Sequence, residues 1–582
     1  MCGIFAYIGE NNSAGEVVLN GLKELEYRGY DSWGIAIKND EKLWLKKGIG
    51  KIGNVTSNGF PKGEISFGHT RWATHGGVTK KNAHPHFSCD KSFGLIHNGI
   101  VENYEELKNG LSNKHAFESD TDTEVLVHLI EEENNNSFTQ AVIDAFKKTK
   151  GLSAIIVFHK EANELIAIRK GSPLVIGYGQ NHNLIASDPS ALISHTKNVY
   201  FLEDNQYAVV SKNKVSIHNL ISQKKITEKK SKISWSNNQA SRGNYKHFML
   251  KEIFEQPNVI EKIIENKSYI KEMAQKIKKL QTTLIGCGTA SHACIAGKYL
   301  FSTLSKKKVD WVIGSEFSYH TNFLSEKNLV VALSQSGETM DILQAVKSAK
   351  KKESIIGSLV NVVGSTLYRE SDISLPLFAG PEKAVASTKA FIAKLTYLYL
   401  IAEEIGGKKN SLDLSKAKEA VKSTLSRKSI NKIKKISKKI YKNNHLFVVG
   451  RGVSYPISLE TALKIKEISY IHSEGLAAGE LKHGVIALIE KGTPCVVYIP
   501  NDQAVGENLA AAMELKARGA YIIGVSPDRK KVFDYHIPIK DVGTASIFPN
   551  TVVGQLLAYY LAVERRLDPD MPRNLAKSVT VK

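Results

Sequence analysis

Cysteine is scarce in this chain: five residues in 582, at Cys2, Cys89, Cys287, Cys294 and Cys495. The number is odd, the spacing is sparse and no Cys-x-x-Cys occurs. That argues against a disulfide framework and against a structural zinc site, and leaves buried thiols as the default. Long hydrophobic runs are missing too. The apolar stretch near the end, Thr551 to Val563, is broken by Gln555 and closed by Glu564-Arg565-Arg566, too short to span a bilayer. No basic segment followed by an apolar one stands at the N-terminus, so no signal peptide, no membrane and a cytoplasmic enzyme are expected. Acidic residues are outnumbered, 58 against 79 Lys and Arg, for a net charge of +21. No basic stripe or reader motif accompanies the excess, so no nucleic-acid partner is expected. A field favouring anionic metabolites fits, and a lysine-rich surface is the simplest reading. Between Arg427 and Lys442, Ile430, Ile433, Ile436 and Ile440 recur at helical spacing with lysines between them. What is present is hydrophobic residue, 42% of the chain, enough for large cores in about three domains.

The texture changes along the chain. Up to about residue 210, short apolar runs such as Ser153–Phe158, Leu165–Ile168 and Leu174–Tyr178 alternate with turns and read as antiparallel strands. Helical patterns at Val17–Leu25, Glu102–Leu111 and Glu124–Glu133 make this an α+β domain. Residues 211–245 are polar and read as a final strand and then a linker. From about residue 258, apolar strands alternate with amphipathic helices, the pattern of a parallel sheet covered on both faces. An internal repeat lies in this half. Leu284-Ile285-Gly286-Cys287-Gly288-Thr289 is echoed by Val448-Val449-Gly450-Arg451-Gly452-Val453, and Ile355-Ile356-Gly357 by Ile522-Ile523-Gly524. Two tandem copies of one α/β unit are therefore expected.

Cys2 opens the first chemical constellation. If Met1 is removed, its thiol lies beside a free α-amine whose pKa of about 7.7–8 lets it accept a proton near neutrality. An ordinary cysteine at a strand start would look the same by position. The surrounding motifs are Glu26-Tyr27-Arg28-Gly29-Tyr30-Asp31-Ser32, His69-Thr70-Arg71-Trp72-Ala73-Thr74-His75-Gly76, His97-Asn98-Gly99 and Ser119-Asp120-Thr121-Asp122-Thr123-Glu124. An arginine fork suits a carboxylate, an aspartate an ammonium, and an asparagine amide with a glycine N–H an oxyanion. Asp122 alone could be a helix N-cap, Arg71 a surface ion pair and Trp72 core.

In order and spacing these motifs resemble the class II, N-terminal-nucleophile glutamine amidotransferases. The resemblance implies Cys2 as nucleophile, Asn98 and Gly99 as the oxyanion hole, and Arg71, Trp72, Thr74, His75 and Asp122 as the glutamine site. Trp72 would stand on the loop that guards the exit of ammonia.

A second constellation, Ser334-Gln335-Ser336-Gly337-Glu338-Thr339, follows the strand Leu329–Leu333 and precedes the helical run Ile342–Ala349. Hydroxyls and free N–H groups at a helix start favour phosphate. A plain capped turn is the alternative, and a Walker A loop is excluded. The segment resembles sugar isomerase (SIS) domains, which occur as such paired units. That resemblance makes Thr289, Ser334, Gln335, Ser336, Thr339 and Val385 the sugar-phosphate contacts, with Ala290 departing from a serine frequent in relatives. The second repeat's turn, Ile499-Pro500-Asn501-Asp502-Gln503-Ala504-Val505-Gly506, lacks the run of hydroxyls, so one phosphate site per chain is expected. That repeat supplies Lys464, Glu467 and His483 instead. By spacing alone, Lys464 and Glu467 read first as a surface ion pair.

The whole combination, with the connector Tyr245–Pro257 and the tail Pro572–Val581, resembles the glutamine–fructose-6-phosphate aminotransferases. The domains implied are 2–217 (glutaminase), 218–257 (linker), 258–411 and 436–571 (two SIS domains) and 572–582 (catalytic tail). The chemistry implied is release of ammonia from L-glutamine through a Cys2 thioester and its delivery along a dry route to D-fructose 6-phosphate. Free in water, the ammonia would become protonated and lose its lone pair. His483, from the neighbouring subunit of a homodimer, would open the sugar ring. Lys577 would form a Schiff base at C2, and Glu467 would move a proton between C1 and C2 with Lys464 in the same acid–base group. The reaction as implied needs no metal, nucleotide or flavin. Amidophosphoribosyltransferase and asparagine synthetase lack support, for no paired aspartates and no ATP-binding Ser-Gly-Gly-x-Asp-Ser loop occur. A related enzyme for another ketose phosphate, a deaminase, or a non-catalytic phosphosugar sensor remains open at this point.

Overall fold

In the computed structural model, residues 2–10, 12–39, 42–112, 114–134, 137–233, 241–407 and 412–579 are described. Met1, residues 234–240 of the expected linker, Ser411 and the last three residues of the tail lie outside them. The chain divides into two compact units, 1–240 with 576–582, and 241–575.

The first unit is built on two antiparallel sheets. The eight-stranded one runs β15 (Ser231–Lys232), β11 (Asn198–Phe201), β9 (Val175–Tyr178), β10 (His182–Ala186), β1 (Gly3–Gly9), β4 (Ile65–Arg71), β2 (Ser32–Asn39), β3 (Lys42–Ile49). The seven-stranded one runs β14 (Lys225–Ile226), β13 (Val215–Asn219), β12 (Gln206–Val210), β8 (Leu165–Lys170), β7 (Ser153–His159), β6 (Phe93–Gly99), β5 (His86–Phe87). Their facing sides share one core of Ile4, Ala6, Phe67, Ile96, Ile156 and Ala167. Helix Ala14–Glu24 covers the outer face of the first sheet, and helices Asp122–Glu132 and Phe138–Lys147 cover the second. Both faces of each sheet are therefore covered, which is why β1 and β4 are buried along their whole length instead of alternating. Helix Phe138–Lys147, capped by Ser137, goes unread in the sequence because it follows a polar asparagine run.

The second unit contains two five-stranded parallel sheets of one topology. The first runs β17 (Asp310–Ile313), β16 (Gln281–Gly286), β18 (Asn328–Ser334), β19 (Ile355–Val360), β20 (Ile373–Pro376); the second runs β22 (His472–Ala477), β21 (His445–Gly450), β23 (Pro494–Tyr498), β24 (Tyr521–Ser526), β25 (Tyr535–Pro538). The repeat seen in the sequence is thus a repeat of strand order. One core, including Leu284, Phe391, Val448, Ile465 and Phe548, runs through both copies.

The expected linker 218–257 divides between the units. Residues 225–226 and 231–232 are edge strands of the first unit, while Phe248–Phe254 and Gln256–Glu265 are helices of the second. Asp570 binds the opening helix from the far end of the chain, accepting from Phe248 N and Met249 N at 2.8 Å. The stretch Gly543–Glu564 is long and apolar enough to cross a membrane, longer than the run read from sequence, and is 94% buried as a core helix. Gln555 is satisfied within it, accepting from Gln256 Nε2 at 2.7 Å and donating to Thr388 O at 3.3 Å. Helix Arg427–Ile440 buries Ile433, Ile436 and Ile440, as the spacing predicts. Two cysteines, Cys294 and Cys495, are buried. Cys2 and Cys287 are half-buried and Cys89 is exposed, which corrects the expectation that most are buried.

Candidate active sites

Cys2 stands at the start of β1, the central partner of β4 and β10, so its thiol reaches the turn that leaves β4. Trp72 N donates to Cys2 Sγ at 3.2 Å. Asn98 Nδ2 donates to the Cys2 carbonyl at 3.0 Å, as does Arg28 Nε at 3.4 Å. Arg28 is fixed in turn by Asp188 at 2.9 Å, which also accepts from Tyr27 Oη. The Glu-Tyr-Arg-Gly motif is thus a brace under Cys2. Burial pushes the Cys2 thiol up, while the Trp72 N–H and the Arg71 charge pull it down.

Asn98 and Gly99 end β6. Gly99 has φ of +145°, and a Cβ there would lie 2.0 Å from Leu152 O, so no other residue fits this backbone. Its N–H is held in that geometry by the chain itself. Arg71, at the end of β4, donates to the carbonyls of His75, Gly76 and Gly77, closing the loop that carries Trp72, Thr74 and His75. Trp72 packs edge-on to Tyr30 and His75 edge-on to Tyr104, while Thr74 is exposed. Asp122 is the first residue of its helix. The cap is Thr121, whose side chain accepts from Glu124 N, and Asp122 instead accepts from Val101 N at 2.7 Å. The N-cap alternative for Asp122 falls with that.

Four buried histidines back this site, and the sequence reading gave none of them a role. His69 Nε2 donates to His97 O at 3.0 Å and to Asn98 Oδ1 at 3.2 Å, turning the Asn98 NH2 toward Cys2. The His69 ring stacks on His84 at 4.1 Å, and His84 meets His86 at 4.7 Å. His97 is held by Thr123 and Ser153, each at 3.0 Å. Burial lowers all four, His69 to about 3, so the rings are neutral. Their separation by 28 residues leaves no local pattern; the only signal was the abundance of histidine between 69 and 97.

In the second unit, Ser334–Thr339 joins β18 to helix Met340–Lys350. Gly337 N donates to Ser334 Oγ at 3.0 Å and Glu338 N to Ser336 Oγ at 3.1 Å, curling the backbone around its own hydroxyls. Gly337 has φ of +70°, and a Cβ there would strike Ser365 Oγ at 2.0 Å. Gln335 O accepts from Asn361 N, and Thr339 is the half-buried cap residue just before the helix. Glu338 accepts from Thr366 N and Oγ1 at 2.7 and 2.8 Å, which anchors the loop from behind. Val385 N donates to Asp570 O at 2.9 Å, while Glu252 accepts from Lys383 N and Ala384 N, so the connector helix sets this segment.

Lys464 and Glu467 are not a surface pair. Lys464 is 1% exposed and bridges Glu467, Glu460 at 3.5 Å and Thr289 Oγ1 at 2.9 Å. Glu460 accepts from Thr289 Oγ1 at 3.1 Å and meets His292 at 2.8 Å. Burial works against the Lys464 charge, but Glu460 and Glu467 raise its pKa overall. This network ties the first repeat's helix Thr289–Ser305 to the second repeat's Tyr455–Ser469. Glu460 and His292 were missed because their partners lie 168 to 171 residues away. His483 sits exposed on the turn Ala478–His483, apart from those contacts. Lys577 is half-buried in the segment grouped with the first unit.

Fold and sites together define a glutamine amidotransferase fused to tandem sugar isomerase domains. The glutamine amidotransferase domain family matches residues 44–245, and the SIS domain family matches 277–404 and 439–531. Over the full length of both chains, the sequence is 42% identical to the glutamine–fructose-6-phosphate aminotransferase (isomerizing) of Thermococcus kodakarensis and 43% identical to that of Pyrococcus horikoshii. The C-terminal domain of glucosamine-fructose-6-phosphate aminotransferase from Francisella tularensis aligns with a TM-score of 0.52 and 32% identity, covering 57% of this chain and 99% of that one. The chain belongs to the glutamine–fructose-6-phosphate aminotransferase (isomerizing) family.

Proposed function

We infer that this enzyme converts L-glutamine and D-fructose 6-phosphate into glutamate and D-glucosamine 6-phosphate. The observation that carries the reading is that one chain of this family holds both halves of the chemistry. Cys2 lies beside Asn98 and Gly99, and a hydroxyl-lined loop shares its unit with the buried Lys464–Glu467 pair.

In the processed chain the Cys2 α-amine takes the thiol proton, and the thiolate attacks the glutamine side-chain carbon. Asn98 Nδ2–H and Gly99 N–H stabilise the oxyanion. Ammonia leaves with the proton, and water then cleaves the thioester to glutamate. Arg71 takes the glutamine carboxylate and Asp122 its ammonium, with Trp72, Thr74 and His75 closing over it. On the sugar side, Thr289, Ser334, Gln335, Ser336, Thr339 and Val385 hold fructose 6-phosphate. His483 from the partner of a homodimer opens the ring. Lys577 condenses with C2, ammonia displaces it, and Glu467 carries a proton from C1 to C2 with Lys464 setting its charge. The reaction takes place in the cytoplasm. The domain limits 2–217, 258–411 and 436–571, with the 572–582 tail, stand as part of this reading.

The test is incubation of purified protein, its N-terminus shown by mass spectrometry to be Cys2, with both substrates. Glucosamine 6-phosphate and glutamate are expected in equal amounts, and Cys2→Ala should abolish both. Glutamate without amino sugar would sink the sugar half, and glutamine hydrolysis by Cys2→Ala would sink the assignment of the nucleophile.

A further inference from the structure

Away from Cys2, three segments of the first unit bring four metal-ligating side chains to one point. Cys89 lies in the turn between β5 and β6, His115 in the loop leading to Asp122, and His128 with Glu131 one helical turn apart on Asp122–Glu132. Their donor atoms all lie within 4.8 Å of one another. Cys89 Sγ is 3.6 Å from His115 Nδ1 and 3.7 Å from His128 Nδ1. Glu131 Oε2 is 3.1 Å from His115 Nδ1 and 3.2 Å from His128 Nδ1.

These four separations match edges of a coordination tetrahedron, and a small side-chain shift would draw in the remaining pairs, which reach 4.8 Å. With zinc–sulfur bonds of about 2.3 Å and zinc–nitrogen or zinc–oxygen bonds of about 2.0–2.1 Å, the sulfur–nitrogen edges are about 3.6 Å and the nitrogen–oxygen edges about 3.3 Å. One outer contact fits as well. The other ring nitrogen of His115 meets Glu132 at 3.2 Å, while that of His128 lies 3.8 Å from Glu124, outside hydrogen-bond reach. A carboxylate behind a ligating imidazole fixes the ring and its tautomer. A thiolate and a carboxylate balance a divalent charge, and the mixed sulfur, nitrogen and oxygen set suits a borderline-soft ion. His128 is 1% exposed and His115 7%, while exposed Cys89 leaves an entry path.

We propose that Cys89 Sγ, His115 Nδ1, His128 Nδ1 and Glu131 Oε2 form a structural site for a divalent transition-metal ion, zinc in the first place. The ion cross-links the β5–β6 turn and the loop before Asp122 to the helix that Asp122 begins. It touches no reacting group, so its role is to hold the start of that helix in place. A Cys-x-x-Cys search cannot find it, because the ligands lie in three separated segments.

The full chain, expressed with added zinc and desalted, should carry about one zinc per chain by elemental analysis. Cys89→Ser and His115→Gln should each lower that content at least tenfold, with circular dichroism unchanged. Cobalt(II) exchanged into the protein should show a thiolate-to-cobalt absorption band that Cys89→Ser removes. Glu132→Gln should bind zinc about 10–100-fold more weakly in competition with a chromogenic chelator. Chelation should lower the melting temperature of the parent and not of Cys89→Ser, while glutaminase activity of Cys89→Ser at low temperature stays at the parent level. A folded parent chain that takes up no zinc and gives no cobalt–thiolate band, or zinc held equally by both ligand variants, would overturn the proposal.

Discussion

The two units keep charge in their sites in opposite ways. Behind Asn98, burial strips the charge from His69, His84, His86 and His97, whose contacts are neutral hydrogen bonds, while the Arg28–Asp188 ion pair braces Cys2. Around Thr289, charge is concentrated, with Lys464 held between Glu460 and Glu467 and His292 alongside. The chemistry accounts for the difference. In the proposed mechanism the neutral rings add no acid to the Cys2 α-ammonium that gives ammonia its proton, whereas moving a proton between two sugar carbons calls for groups that change charge. Within the second unit the repeats differ in the same spirit. The first offers Ser334, Ser336 and Thr339 at its loop. The second offers Asp502, whose carboxyl burial pushes up and which accepts from Ala504 N, a poor neighbour for phosphate.

The largest effect that would sharpen the comparison is expected at Glu467. Glu467→Gln should cut synthesis of the amino sugar by about 10²–10⁴-fold while glutaminase turnover holds. An active variant would show that the charged network is structural only. Next comes Lys464→Met, which strands Glu460 and Glu467. Loss of a buried partner costs about 3–5 kcal/mol, to be read from thermal or denaturant unfolding of the second unit.

On the neutral side the lever is pH. The folded pKa of His69, about 3, lies below its unfolded value of about 6.5, so its contribution is complete above pH 6.5 and is lost as pH falls toward 3. At pH 5 this amounts to about 2 kcal/mol from His69 alone. Hydrogen exchange in β4 and β6 should report it, and His69→Gln should flatten the profile. Equal protection at pH 5 and 7 in the parent would break the contrast. The smallest effect separates the repeats. Ser336→Ala should raise the KM for fructose 6-phosphate about tenfold, the worth of one hydrogen bond to a charged group, with kcat nearly unchanged. Asn501→Ala, in the matching loop of the second repeat, should leave KM alone.

Local pattern determined much of this protein. Period and turn residues marked the strands around Ser153–Tyr178, the helix with Ile433 and Ile436, and the doubled α/β unit, because each is a short-range consequence of burying one face. Motif order singled out Cys2, Arg71, Asn98, Gly99 and Asp122, and steric demand at φ of +145° explains why position 99 is glycine. Tertiary structure alone decided what depends on distant partners. It made Lys464 a buried bridge between the repeats and Thr121 the cap beside Asp122. It turned part of the expected linker into the helix held by Asp570, and it gathered Cys89, His115, His128 and Glu131. Burial and pKa are properties of a site's whole surroundings. The residues that set them here lie from a few to more than three hundred positions apart, beyond the reach of any local pattern.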